Sequence, residues 1–107
     1  MSVITVTSEN FETEVLQAEK PVLVDFWAAW CGPCRRLSPL VDQIAEEAPD
    51  IKVGKVNVDE QPALRDQFGI MSIPTLLVFK EGKQTASLVG IPASNPKQAI
   101  LDMVSQN

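Results

Sequence analysis

Cys31 and Cys34 are the only cysteines of the chain, and they stand three residues apart in Trp30-Cys31-Gly32-Pro33-Cys34. Two thiols at that spacing on the first turn of a helix are neighbours on one face. Their Cα atoms then come near the roughly 5.5–6 Å that a disulfide prefers. Such a pair cycles between dithiol and disulfide with little backbone motion. A helix N-terminus offers unpaired N–H groups and the positive end of the macrodipole, which favour a thiolate over a thiol. Cys31, nearer the open end, is therefore expected to be the exposed nucleophile, and Cys34, one turn in, the more buried partner. Pro33 is tolerated in a first helical turn and removes a backbone donor, which points to a more reducing pair.

Other chemistry is limited by what the chain lacks. It has no histidine, so imidazole serves neither as a base nor as a ligand. A zinc site would need ligands beyond the two thiols, and no further Cys or His exists. No metal is expected. An inert structural bridge remains an alternative, although so short a loop gains little from chain entropy. No Gly-rich dinucleotide fingerprint occurs, so no bound cofactor is expected. Nine Lys and Arg against fourteen Asp and Glu leave a net charge of −5. That balance argues against nucleic acid and against an anionic membrane surface as partners. The opening Met1-Ser2-Val3-Ile4-Thr5-Val6-Thr7 has no basic or strongly apolar leader region. No run approaches the roughly 18 apolar residues that span a bilayer. The expectation is a cytoplasmic protein, in a compartment where closely spaced thiols are more often catalytic or metal-binding than structural.

The elements that hold the pair follow from hydrophobic spacing. The 107 residues read as one domain, residues 1–107, without repeats or linkers. Ile4 and Val6 suggest a short first strand. Thr7 or Ser8 is positioned to cap a helix whose face carries Phe11, Val15 and Ala18 before Pro21. Val22-Leu23-Val24-Asp25-Phe26 reads as a central strand buried on both sides, with Asp25 its one charge. Apolar residues at Leu37, Leu40, Val41, Ile44, Ala45 and Ala48 have helical spacing, with a kink expected at Pro39. Ile51, Val53, Val56 and Val58 mark a third strand. A short helix lies between Pro62 and Gly69. Thr75 to Phe79 forms a strand, Glu81-Gly82 a two-residue hairpin loop, and Ala86, Leu88 and Val89 a fifth strand. Asn95-Pro96 opens a last helix with Ala99, Ile100, Met103 and Val104 on one face. The order β-α-β-α-β-α-β-β-α predicts an α/β domain: a mixed five-stranded sheet flanked by four helices in three layers. The cysteines then lie at the carboxyl end of a central strand, where open α/β sheets carry their sites.

With Trp30 to Cys34, the segments Val24-Asp25-Phe26-Trp27-Ala28, Lys55-Val56-Asn57-Val58-Asp59, Ile73-Pro74-Thr75, Phe79-Lys80-Glu81-Gly82 and Val89-Gly90 resemble the thioredoxin family over nearly the whole chain. The resemblance implies the thioredoxin fold and reduction of protein disulfides through a mixed disulfide. Cys31 would attack and Cys34 would resolve. Asp25 would be a buried acid that moves the proton of Cys34, with Lys55 near it. Pro74 would be cis and face the sulfurs. Trp30, Gly32, Pro33, Ile73, Pro74, Gly90 and Ile91 would line the substrate surface. The partners implied are disulfide-containing proteins and a flavin-dependent thioredoxin reductase, so that NADPH is used only indirectly. The chain would act as a monomer.

Bland alternatives accompany these roles. Asp25 could be a structural carboxylate paired with Lys55, Trp30 surface packing, and Pro74 an ordinary strand-entry proline. Burial in so apolar a run is expected to raise the Asp25 pKa against the pull of Lys55. Arg35 stands where the family usually has Lys. Ile91 is larger than the usual residue, and Pro92 to Pro96 is a stiff lead into the last helix. These departures bear on partner choice. Two rival functions remain: a disulfide oxidase or isomerase on the same fold, and a binding module whose cysteines are incidental.

Overall fold

A five-stranded mixed sheet in the order β1-β3-β2-β4-β5 forms the middle layer. The structure, a computed structural model, describes residues 3–106. Met1 and Ser2, on which part of the leader reading falls, and Asn107 lie outside the described residues. The strands are β1 (Val3–Thr5), β2 (Val22–Trp27), β3 (Lys52–Asn57), β4 (Thr75–Lys80) and β5 (Lys83–Val89). The helices are α1 (Glu12–Leu16), α2 (Gly32–Glu47), α3 (Pro62–Gln67) and α4 (Pro96–Gln106). β1, β3 and β2 run parallel, while β4 is antiparallel to both β2 and β5. This is the mixed sheet that the alternation of elements predicts.

Strand alternation sorts side chains onto two faces. Val24 and Phe26 of β2, Val56 of β3, and Leu77 and Phe79 of β4 pack with Phe11, Val15 and Leu64 on the α1–α3 face. All four phenylalanines meet there. Phe11 and Phe68 lie 5.2 Å apart between ring centroids, and Phe79 meets both edge-on. On the other face Leu23, Val53, Leu76 and Val78 pack under Leu37, Val41 and Ile44 of α2 and Ile100 and Val104 of α4. Gly54 is required where Val6 crosses β3, because a Cβ there would come within 2.6 Å of the valine Cγ2. The Glu81-Gly82 loop has φ of 53° and 81°, the positive pair of a type I′ hairpin.

Two boundaries differ from the spacing-based expectation. The first helix does not run from Ser8 to Pro21. It is one wide turn, closed by a bond from Gln17 N–H to the Glu12 carbonyl, five residues back. Thr7 Oγ1 accepts from Asn10 N–H, whereas Ser8 is drawn across to the Gln61 side chain. α2 starts at Gly32, so the cysteines stand at its opening as expected, although Gly32 to Arg36 carry no apolar stripe. β5 starts at Lys83. It is an edge strand, largely exposed, so only Ala86 and Leu88 carry a core signal.

Candidate active site

β2 ends at Trp27, and a tight turn delivers the chain to α2. The turn closes with Cys31 N–H on the Ala28 carbonyl at 3.2 Å, and Arg35 reaches back to the Ala29 carbonyl at 2.8 Å. Cys31 is the N-cap of α2, in extended conformation (φ −91°, ψ 111°), with Gly32 and Pro33 the next two residues. Its Sγ accepts the Cys34 N–H at 3.2 Å, so a sulfur occupies the place that a hydroxyl or carboxylate takes at other helix starts. Cys31 and Cys34 form a disulfide, with Cα atoms 5.3 Å apart.

Exposure does not separate the two sulfurs as expected: Cys31 is 4% exposed and Cys34 3%. In the disulfide both pack against the core. Their surroundings separate them instead. Cys31 Sγ lies 3.8 Å from the Ile73 carbonyl oxygen. Cys34 lines a partly open cavity of about 140 Å³ together with Asp25, Trp27, Arg35, Ser38 and Lys55.

Ile73-Pro74 is a cis peptide, and Pro74 is buried. The Pro74 carbonyl accepts from Gly90 N–H at 2.8 Å, and Gly90 has φ +83°, a conformation that favours glycine. The loop carrying Ile73 is thereby tied to the end of β5. Trp30 is 68% exposed, and its indole N–H donates to Asp59 Oδ2 at 2.9 Å. Ile73 is half-buried against the α1–α3 core, and Ile91 against the α2–α4 core. Ile91 therefore contributes to the core as well as to the surface for which the resemblance marked it. Two further apolar residues here are exposed: Met71, which escaped the sequence reading, and Val89, which was read only as part of the fifth strand. Met71 stands two residues before Ile73, and that place beside a marked residue was the available signal.

Beneath the disulfide, Asp25 is 1% exposed, and its Oδ1 has no hydrogen-bond partner. Lys55 is its register neighbour on β3 and Leu76 its neighbour on β4. The Lys55 ammonium, however, donates to Ser38 Oγ at 2.6 Å and to Asp42 Oδ1 at 2.9 Å. Among the described residues no ion pair joins it to Asp25. Burial raises the Asp25 pKa from 3.8 to about 7, Lys55 opposing the shift and Asp42 adding to it. Desolvation thus outweighs the lysine, and the reading of a carboxylate paired with Lys55 does not hold. Ser38 and Asp42, the actual partners of Lys55, were also missed. On a helix pattern they read as ordinary polar positions.

Among the described residues no three His, Cys, Asp or Glu side chains gather as metal ligands, and no helix is long and apolar enough to cross a membrane. A family model described as Thioredoxin matches residues 2–106. A thioredoxin of Porphyra purpurea is 48% identical over 107 residues, covering 98% of this chain and 100% of that protein. Thioredoxin 1 of Synechococcus elongatus is 55% identical over 86 residues, covering 79% of this chain and 80% of the relative. A thioredoxin of Alicyclobacillus acidocaldarius is 49% identical over 104 residues, covering 96% and 98%.

Proposed function

The chain belongs to the thioredoxin family, which together with its Cys31–Cys34 disulfide makes it a thiol–disulfide oxidoreductase, and from that premise we propose that it runs in the reducing direction, on disulfides of other proteins. One observation carries the reading: the disulfide caps a helix, and its Cys34 shares a cavity with a buried carboxyl whose Oδ1 has no hydrogen-bond partner.

In the dithiol form the Cys34 N–H that now meets Cys31 Sγ would stabilise a Cys31 thiolate. That thiolate attacks one sulfur of the substrate disulfide. The substrate S–S bond breaks, one substrate sulfur leaves as a thiolate and takes a proton, and a mixed disulfide to Cys31 remains. Cys34 then gives its proton to the Asp25 carboxylate and attacks Cys31 Sγ. The mixed disulfide breaks, the second substrate thiol is released, and Cys31–Cys34 is formed. Two electrons have passed to the substrate. A carboxyl with a pKa near 7 is suited to this exchange, because at neutral pH both of its protonation states are populated.

Trp30, Ile73 and the Gly32-Pro33 stretch form the surface against which substrate backbone lies, with Pro74, Gly90 and Ile91 holding that surface in shape. The Ile73 carbonyl beside Cys31 Sγ suits pairing with an extended peptide, which selects little for side chains. A flavin-dependent thioredoxin reductase drawing on NADPH returns the disulfide to the dithiol. The working compartment we propose is the cytoplasm, and the working form a monomer. The test is a coupled assay with NADPH, such a reductase and insulin. Reduction of insulin with matching NADPH consumption is expected. No turnover despite a reducible Cys31–Cys34 pair would overturn the reading.

A further inference from the structure

The Lys55 ammonium is held where it does not meet the carboxyl beside it. Lys55 and Asp25 are register neighbours on adjacent strands, and both side chains line the cavity under Cys34. Opposite charges so placed ordinarily pair. Here the ammonium is turned instead to Ser38 Oγ and Asp42 Oδ1, four residues apart on one face of α2. The lysine side chain is 19% exposed and that of Asp42 56%, so the clamp sits at the solvent edge of the cavity, with Asp25 at its floor. Asp25 Oδ1 is left without a partner.

We propose that Ser38 and Asp42 are positioning residues that withhold Lys55 from Asp25, so that the buried carboxyl stays able to take the proton of Cys34. The proposal rests on the reading of Asp25 as that acceptor. A lysine free to reach Asp25 would hold it ionised and make it a poorer base. The charged and titratable groups facing Asp25 are few. β3 presents Lys55, α2 presents Cys34, Arg35 and, further out, Asp42, and β4 presents the neutral Leu76. Of these cations Lys55 shares the register of Asp25, while the Arg35 guanidinium is engaged with the Ala29 carbonyl. The position of the lysine is therefore the variable that the fold controls. The Asp25 pKa, raised by burial with Lys55 opposing, agrees with a lysine kept at a distance.

The test is the titration of the Asp25 side-chain carboxyl by carbon-13 NMR in the oxidised protein. In a Ser38→Ala, Asp42→Asn double variant the released lysine should lower the Asp25 midpoint by about one unit or more, the shift that a cation within hydrogen-bonding range produces. Adding Lys55→Met to that variant should abolish the drop, because the effect travels through the lysine. Asp42→Glu, which can still hold the ammonium, should keep the parental midpoint. An unchanged midpoint in the double variant overturns the proposal. A drop that persists with Lys55→Met also overturns it, since Asp42 would then act through its own charge. The titration is read without substrate. Failure of Asp25 as acceptor would show separately, as undiminished resolution by Cys34 in Asp25→Asn.

Discussion

Leu23 and Asp25 are two residues apart on β2 and project to the same face of the sheet, yet they meet opposite environments. Leu23 lies beside Val53 and Val78 under Val41 and Ile44, fully buried among apolar side chains. Asp25 lies beside Lys55 and Leu76 in a cavity shared with Cys34 and Ser38, equally buried and with an orphaned oxygen. One step along the strand separates a region built for stability from the one we propose for proton transfer. The same helix covers both. Its middle turns present Leu37, Val41 and Ile44, and its first turns present Cys34 and Ser38. The site is therefore positioned by the core next to it, and it opposes folding where the core supports it.

Substitutions along this face should separate the two regions, beginning with the sulfurs. Cys34→Ser should still attack substrate disulfides but stall as a mixed disulfide visible on non-reducing gels, while Cys31→Ser should trap almost nothing. Both should lose turnover by about a thousandfold or more, as removal of a nucleophile does. Equal trapping by the two would erase the division of labour. Leu23→Ala should lower stability by about 2–5 kcal/mol in denaturant unfolding, because a fully buried side chain leaves a cavity. A loss below 1 kcal/mol would mean that this region is not the support described. Gly54→Ala should cost about 1–3 kcal/mol, since its Cβ would press on Val6. Insulin reduction by the folded variant should stay unchanged. At the bottom of the scale, Glu14→Gln breaks the partly exposed Lys52–Glu14 pair, 2.8 Å long. It should change stability by less than about 1 kcal/mol.

Much of this was legible in the sequence, for identifiable reasons. The apolar run of β2 and the period of α2 dictate a buried strand and a covering helix, and CxxC at the junction of the two marks the site. What was not legible depends on long-range placement. Ser38 and Asp42 follow the polar side of a helical repeat, and only the register of β3 against β2 brings Lys55 to them. The sulfurs differ in what they face, Ile73 or Asp25, and not in exposure, which helix position alone could not foretell. Ser8, a cap candidate for the first helix, instead bonds to Gln61, more than fifty residues away.

The central claim is that Asp25 is held for chemistry against the interest of the fold, and the pH dependence of stability tests it most directly. Its pKa is raised from 3.8 to about 7 on folding. The native state thus holds this proton more tightly than the unfolded chain. The stabilisation this gives is fully present below pH 3.8 and is lost as pH rises through about 7. Over that window the parent protein should lose about 4 kcal/mol relative to Asp25→Ala, with little further change above pH 8. Urea unfolding of the two oxidised proteins at pH 4, 6 and 8 gives the comparison. A gap in favour of Asp25→Ala should widen with pH and leave the variant the more stable protein at pH 8. A variant less stable than the parent at pH 8, by a margin that does not shrink from pH 4, would contradict it and make Asp25 a structural carboxylate.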